Sequence, residues 1–388
     1  VNDVKSPGIS NRDRLDAVLA HFLRQGFARS EPAILQPASV FLDRSGEDFR
    51  GRLYLTSDAA GSDFCLRPEF TIPVCLDYLD SARAGEAAAF AYGGPVFRFP
   101  VDPHRAGGGE FLQAGLESFG RDDREAADAE ILAEAVEAAR AAGAGALELR
   151  LGDAGLVSSF LDGLDLPPAW RRRLETGYAR GDSIARIFVS PEKGFGSEHA
   201  GVLAALRKIE PEDARALVDD LLSIAGISPV GGRSADEIAE RFLEQASLGN
   251  DLGVAAEKRE LVESFLSIEG HPDQASTALR RLMDDAKLDL NAALDSFDAR
   301  SGFIAARGVD LDSVVFSASF ARRLDYYSGF VFEARSAASP SGPPAIGGGR
   351  YDRLLRTLGA REDIPAVGAA IRIDRLRFGD DMPSGNAS

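Results

Sequence analysis

The chain has 388 residues, 45% hydrophobic and 27% charged, the balance of a globular protein with length for two or three domains. Its formal charge is −17, from 44 basic and 61 acidic residues, which argues against a large nucleic-acid footprint because polyanion binders concentrate Lys and Arg. No apolar run approaches the roughly 20 residues that span a bilayer, and the polar start shows no signal-peptide core, so a cytoplasmic protein off the membrane is expected.

Residues 12–25 predict an amphipathic helix, with Leu15, Val18, Leu19, Phe22 and Leu23 on one face and Gly26 as its stop. Pro32 and Pro37 bracket a short extended piece, and a hairpin-like stretch is expected over 44–57. Phe64–Arg67 reads as a strand running into a helix from about Thr71 to Ala82. Ala88–Phe99 and Glu110–Gly120 read as paired strands around a Gly-rich loop at 102–109. A helix over 122–143 follows, with Asp122 or Asp123 as N-cap, and then a strand at Ala146–Gly152. From about Leu164 to Ala299 the apolar spacing is helical with few strand signals, and Pro229–Gly232 and Glu269–Pro272 read as loops between helices. Strand signals return at Val314–Ala318, Gly329–Ala334 and Pro365–Ile373, with a Gly/Pro loop expected at 338–349. The expected fold is α+β: a core of residues 1–163 and 300–388 built on an antiparallel sheet flanked by helices, interrupted by a helical insertion at 164–299.

Several local patterns carry little. Gly143-Ala-Gly145 precedes a strand, the wrong order for a dinucleotide loop, and Gly347-Gly348-Gly349 has no Lys-Ser/Thr after it. Four scattered histidines and two cysteines, Cys65 and Cys75, lack metal-ligand spacing; no metal or cofactor is assigned, and buried reduced thiols are expected. Polar residues within apolar segments say more. Glu69 and Thr71 stand just ahead of a helix, where a capping arrangement is the plain alternative to a ligand contact. Gln113 and Glu117 share a strand face with Phe111 and Phe119, and buried polar groups there must be paired. Tyr326 and Tyr327 are adjacent; on a strand they would face opposite ways, so only one could line a cavity unless the strand bulges. Gln, Glu and Tyr in an aromatic-lined cavity suit a small zwitterion with a polar side chain.

Taken in order, these segments resemble the histidyl-tRNA synthetase family. Leu66–Thr71 resembles its LRPEGT segment, with Phe70 where Gly is usual. Phe97-Arg98 with Phe111–Gly120 resembles class II motif 2, Arg322–Glu333 resembles the signature RGLDYYTGTVFE, Gly347–Asp352 resembles GGGRYD, and Pro365–Leu376 resembles motif 3. The resemblance implies a class II synthetase-like core and, position by position, a histidine site. In it Glu69 and Thr71 receive the amino group, and Arg98 lies near the carboxylate and α-phosphate. Gln113 and Glu117 surround the amino acid, Arg322 is the signature arginine, and Tyr326 and Tyr327 meet the imidazole.

The departures point away from tRNA charging. Pro100 replaces an acidic residue that holds ATP, and the motif 2 loop at 103–109 is out of register. Arg323 and Arg372 replace glycines, and a guanidinium at 372 would crowd the adenosine position. Only residues 377–388 follow motif 3, so no anticodon-binding domain and no tRNA partner are expected. A kept amino-acid pocket beside eroded ATP geometry resembles the regulatory subunits that accompany short-form ATP phosphoribosyltransferases. That resemblance implies a non-catalytic subunit, partnered with a separate catalytic subunit in a hetero-octamer built on a class II-type dimer, and conveying feedback by L-histidine in histidine biosynthesis. The alternative is an enzyme that still forms histidyl-adenylate, since Arg98, Arg322 and Arg375 survive.

Overall fold

The computed structural model describes residues 10–42, 51–100, 109–188, 254–322 and 326–376. Helix α1 (Asn11–Arg24) opens with a capping box: the Ser10 hydroxyl accepts from the Asp13 N–H at 3.2 Å, and the Asp13 carboxylate accepts from the Ser10 N–H at 3.1 Å. It buries Leu15, Val18, Leu19 and Phe22, and ends where Gly26 takes φ +92°. The apolar period of the sequence thus predicts its stop and four of the five residues of its face; Leu23, expected with them, is exposed.

β1 (Ala28–Arg29), β2 (Leu35–Pro37), α2 (Ala38–Leu42), β3 (Leu55–Ser57) and β4 (Asp63–Leu66) follow, then α3 (Thr71–Leu79), β5 (Ala88–Phe97) and β6 (Glu110–Phe119). Helix α4 (Arg124–Ala141) starts after Asp123, whose side chain makes no cap bond because it pairs with Arg121, Nε to Oδ1 at 2.9 Å. β7 (Leu147–Asp153), α5 (Ala154–Gly163), α6 (Pro168–Arg180) and α7 (Ile184–Phe188) complete the first part. The second has α8 (Ala256–Leu266), β8 (Glu269–Gly270), α9 (Pro272–Ala286), α10 (Asn291–Ala306), β9 (Val314–Ser317), β10 (Phe330–Ser336), β11 (Ile346–Arg350), α11 (Leu354–Thr357) and β12 (Ala366–Arg372).

Among the described residues nine strands form one sheet in the order β1-β5-β6-β12-β11-β10-β7-β9-β8, and β2-β4-β3 form a small second sheet. The pairs at its heart, from β5 to β7, are antiparallel as expected; β1 on β5 and β7 on β9 are parallel. Part of the stretch 38–57 falls outside the described residues, as do most of the loop expected at 102–109 and residues 189–253 of the helical stretch. Within that stretch, expected to be all helical with a loop at 269–272, β8 pairs with β9 at the sheet edge, α9 contacts β9, and α10 packs on α4, so these elements pack with the main sheet and its helices.

The run at 338–349, expected as a loop, ends in strand β11, which runs between β10 and β12. A Cβ on Gly348 would come 2.4 Å from the Gly368 carbonyl and 2.6 Å from the Phe332 ring. Glycine stands here because neighbours press close, a reason that local turn chemistry does not reveal.

Side chains alternate across the sheet. One face, with Ala114, Leu116, Phe332, Val367 and Ile371, packs under α1, α4 and α10 in the main core. On the other face Tyr92, Val96, Phe119 and Tyr351 join α2 and α3 in a second core. Cys65 and Cys75 are free and buried there. Among the described residues no helix is long and apolar enough to cross a membrane.

Candidate functional site

Strands β6, β11 and β12 present glycine or alanine to the second face: Gly115 on β6, Gly347 and Gly349 on β11, Gly368 and Ala370 on β12. This bare floor leaves room for side chains arriving from loops. A Cβ at Gly347 would fall 1.8 Å from Arg322 Nη1, and one at Gly368 would fall 1.5 Å from Glu117 Oε2. Above the floor is a cavity of about 130 Å³.

Seven of the eight residues singled out in the sequence line this cavity: Glu69, Thr71, Arg98, Gln113, Arg322, Tyr326 and Tyr327. They come from the turn before α3, the end of β5, from β6 and from the loop before β10. Tyr326 and Tyr327 both reach the cavity because their segment is loop rather than strand, so the two-faced alternation expected of them does not apply. Their ring centroids are 4.9 Å apart, and Tyr351 meets Tyr326 edge-on at 5.6 Å. Tyr351, the tyrosine of the GGGRYD-like segment, also lines the cavity; its place directly after a run of glycines is the sequence signal for it.

Glu117 is the eighth, and it is not in the lining. It is fully buried on that same face of the sheet, over Gly368, where Oε1 accepts from the Thr71 hydroxyl at 2.8 Å and the Tyr92 hydroxyl at 3.1 Å, and Oε2 accepts from the Tyr351 hydroxyl. Burial drives its carboxyl pKa up to about 8, against the pull of the Tyr351 and Thr71 hydroxyls and with help from nearby Glu69. Expected to surround a ligand, it lies outside the cavity lining and orients the hydroxyls of Thr71 and Tyr351, which line it.

Glu69 does what its local sequence allowed. Its carboxylate accepts from the Thr71 N–H at 2.6 Å and the Ile72 N–H at 2.9 Å, capping α3, while remaining part of the cavity wall. Phe70 stacks on Tyr92 at 4.6 Å and carries the Arg67 guanidinium at 4.0 Å.

Among the described residues four guanidiniums line the cavity, those of Arg98, Arg322, Arg372 and Arg375, against the one carboxylate of Glu69. The last two belong to the motif 3-like segment, Arg372 in the place of a glycine and Arg375 as a retained arginine. Burial lowers the Arg98 pKa to about 10, still charged at neutral pH, and its Nε donates to the Pro68 carbonyl at 2.6 Å. Arg322 Nη1 donates to the Phe332 carbonyl at 3.2 Å, while its buried Nε has no hydrogen-bond partner. Burial raises the pKa values of Tyr326, Tyr327 and Tyr351, which therefore stay neutral phenols able to donate. Residues 323–325, with the Arg323 departure, and most of the motif 2 loop lie outside the described residues. Among the described residues no cluster of His, Cys, Asp and Glu could hold a metal ion.

The bare floor can be tested directly. Gly347→Ala forces the Arg322 guanidinium aside, and because that is the free end of a flexible side chain the fold should hold. Affinity for a carboxylate ligand is expected to fall about tenfold or more, as for a lost charge-assisted hydrogen bond, with little change in the unfolding midpoint. Unchanged affinity would show that Arg322 does not hold the ligand.

A family model described as histidyl-tRNA synthetase matches residues 1–226 and 214–376. An ATP phosphoribosyltransferase regulatory subunit of Brucella anthropi is 40% identical over 359 residues, covering 90% of this chain and 92% of the relative. Its namesake in Brucella ovis is 41% identical over 352 residues, covering 89% and 92%. Among solved structures, an ATP phosphoribosyltransferase regulatory subunit/histidyl-tRNA synthetase of Bacillus halodurans C superposes with TM-score 0.62 at 19% identity, covering 97% of this chain and 83% of the other. The histidyl-tRNA synthetase of Nostoc sp. PCC 7120 does so with 0.61 at 17%, covering 97% and 74%. At such identities these two show the fold alone. The chain therefore has the histidyl-tRNA synthetase fold and belongs to the family of ATP phosphoribosyltransferase regulatory subunits.

Proposed function

We propose that this chain is the non-catalytic regulatory subunit of a short-form ATP phosphoribosyltransferase, and that it conveys feedback by holding L-histidine in the arginine-lined cavity. The observation that carries the ligand is the convergence, over a glycine floor, of guanidiniums, neutral phenols and an amide in a chain of net charge −17. Arg322, with an unspent buried Nε, suits the ligand carboxylate. Gln113, Tyr326 and Tyr327 suit the two imidazole nitrogens, with Tyr351 beside them, and Glu69 with Thr71 suits the ammonium. In this reading the output of histidine binding is a change of conformation passed to the catalytic subunit, in a hetero-octamer built on a class II-type dimer. Coupling of this kind is typically worth about 1–3 kcal/mol, or roughly 5–150-fold in affinity, and is reciprocal between histidine and the partner's substrates.

The test is assembly and inhibition together. The chain is expected to co-purify with the catalytic transferase subunit, to be required for its activity, and to render it sensitive to histidine. The isolated chain should bind L-histidine without ATP and discriminate strongly against L-phenylalanine. Arg322→Met should weaken histidine binding by about ten- to a hundredfold, the range for one charge-assisted contact. No co-purification, or equal affinity for the two amino acids in calorimetry, overturns the reading. Histidine-dependent pyrophosphate exchange would instead support the adenylate-forming alternative.

A further inference from the structure

Arg322 reaches the cavity at the end of a short strap, residues 318–322, that leaves β9 as neither helix nor strand. Backbone groups in such a segment need partners one by one. The Ala318 N–H donates to the Ile268 carbonyl at 2.9 Å, and the Phe320 N–H to the Ser317 carbonyl at 3.0 Å. The Phe320 carbonyl, two residues before Arg322, accepts from the Tyr178 hydroxyl at 2.8 Å. Gly152 on β7 completes the seat: a Cβ there would come 2.3 Å from the same carbonyl oxygen. Tyr178 is a buried residue of α6. Burial and the charge of Asp153 raise its pKa, so it remains a phenol able to donate. Helix α6 is itself tied to α7, with Arg173 Nε donating to the Ile187 carbonyl at 2.7 Å and no room for a Cβ on Gly177 beside Ile187. The Phe320 carbonyl is therefore held by a packed pair of helices rather than by one loose side chain.

A guanidinium grips a carboxylate directionally, so a small displacement of its fork weakens the contact. Arg322 Nη1 is directed by the Phe332 carbonyl at 3.2 Å, and its buried Nε has no hydrogen-bond partner. Where the fork points therefore depends on where the strap holds its backbone. We infer that Tyr178 is a positioning residue for the carboxylate end of the ligand: by holding the Phe320 carbonyl it fixes the strap that presents Arg322, and so couples helix α6 to the cavity. The inference rests on the reading of Arg322 as the contact for the ligand carboxylate. Tyr178 is not in the cavity lining and acts only through the backbone of the strap. The coupling is reciprocal: a shift of α6 alters affinity for the carboxylate, and a carboxylate on Arg322 steadies α6 against the strap.

The experiment is calorimetry on the full chain with L-histidine and, in parallel, with histamine, which keeps the imidazole and the amine but lacks the carboxylate. Tyr178→Phe keeps the ring packed and removes only the hydroxyl. It is expected to weaken L-histidine binding by about three- to tenfold, the net worth of one hydrogen bond, and to leave histamine binding unchanged. A merely structural role would weaken both alike. In the double variant R322M/Y178F the loss should be no larger than in R322M, because both changes act on one contact. Gly152→Ala, which presses on the same carbonyl from β7, should reproduce the selective loss and serves as the second variant. A readout without ligand accompanies these: the reactivity of Arg322 toward phenylglyoxal, measured by mass spectrometry, should rise severalfold in Y178F. Unchanged L-histidine affinity in Y178F overturns the inference. So does an equal loss for histamine, a loss that adds in full to that of R322M, or unchanged reactivity of Arg322. Absence of histidine binding in the wild type would count against the amino-acid reading alone, because the reactivity comparison stands without it.

Discussion

Asp128→Ala is expected to lower stability by about 3–5 kcal/mol, the range for stripping one partner from a buried ionic cluster. Asp128 is fully buried on α4 and holds two arginines from distant parts of the chain. Its Oδ2 accepts from Arg300 Nε at 2.9 Å, and its Oδ1 from Arg350 Nε at 2.9 Å. Arg300 also reaches Asp153 at 2.6 Å, and the Asp153 carboxylate caps α5 by accepting from Gly155 and Leu156 N–H groups. Arg350 pairs with Asp352 at 2.9 Å. Burial opposes both guanidiniums, yet the carboxylates outweigh it and hold their pKa values above the usual arginine value. Removing Asp128 therefore leaves two charges buried and short of a partner. The cavity should suffer as well: the Arg350 carbonyl accepts from the Ser328 N–H at 2.8 Å, and the Ser328 hydroxyl accepts from the Asp352 N–H at 3.1 Å, so the same cluster anchors the loop carrying Tyr326 and Tyr327. Asp128→Asn, which keeps an acceptor oxygen, should fall between. Denaturant unfolding checks both variants, and a loss under about 1 kcal/mol for the alanine variant would contradict a cooperative cluster.

Glu117→Gln is expected to flatten the pH dependence of stability. The folded pKa of about 8 lies well above the usual carboxyl value of 4.5, so the folded state binds one more proton between these values. Stability from this group is then fully present below about pH 4.5 and declines as pH rises through about 8, by at most about 1.4 kcal/mol per pH unit. Glutamine is a permanent mimic of the protonated form, so the wild-type minus variant difference should grow across that window and level off above it. A wild-type slope that persists unchanged in E117Q would place the titration elsewhere. Glu117→Ala should cost about 3 kcal/mol or more, because the Thr71, Tyr92 and Tyr351 hydroxyls lose their common acceptor in a dry interior. Since Glu117 does not line the cavity, its effect on histidine binding is expected to run through the hydroxyls of Thr71 and Tyr351.

The sequence by itself determined the parts whose physics is local. Period and punctuation placed α1 with its Gly26 stop, and hydrophobic alternation placed β5 and β6. Ordered motifs marked seven residues that the structure gathers around one cavity. Capping was legible at Glu69 because a carboxylate two residues ahead of a helix start has backbone N–H groups within reach. Tertiary structure decided the rest. Gly347 and Gly348 read as loop, yet stand in a central strand because neighbouring strands and side chains fill the space a Cβ would need. Glu117 has the strand position of a ligand contact, but the space over Gly368 and the hydroxyl of Tyr351, each more than 200 residues away in the chain, hold it buried outside the cavity lining. The stacking of Arg372 on Phe111 and the joining of Asp128 to Arg300 and Arg350 likewise depend on strands and helices meeting from opposite ends of the chain. Periodicity records which face a side chain takes; only the packed fold records what it finds there.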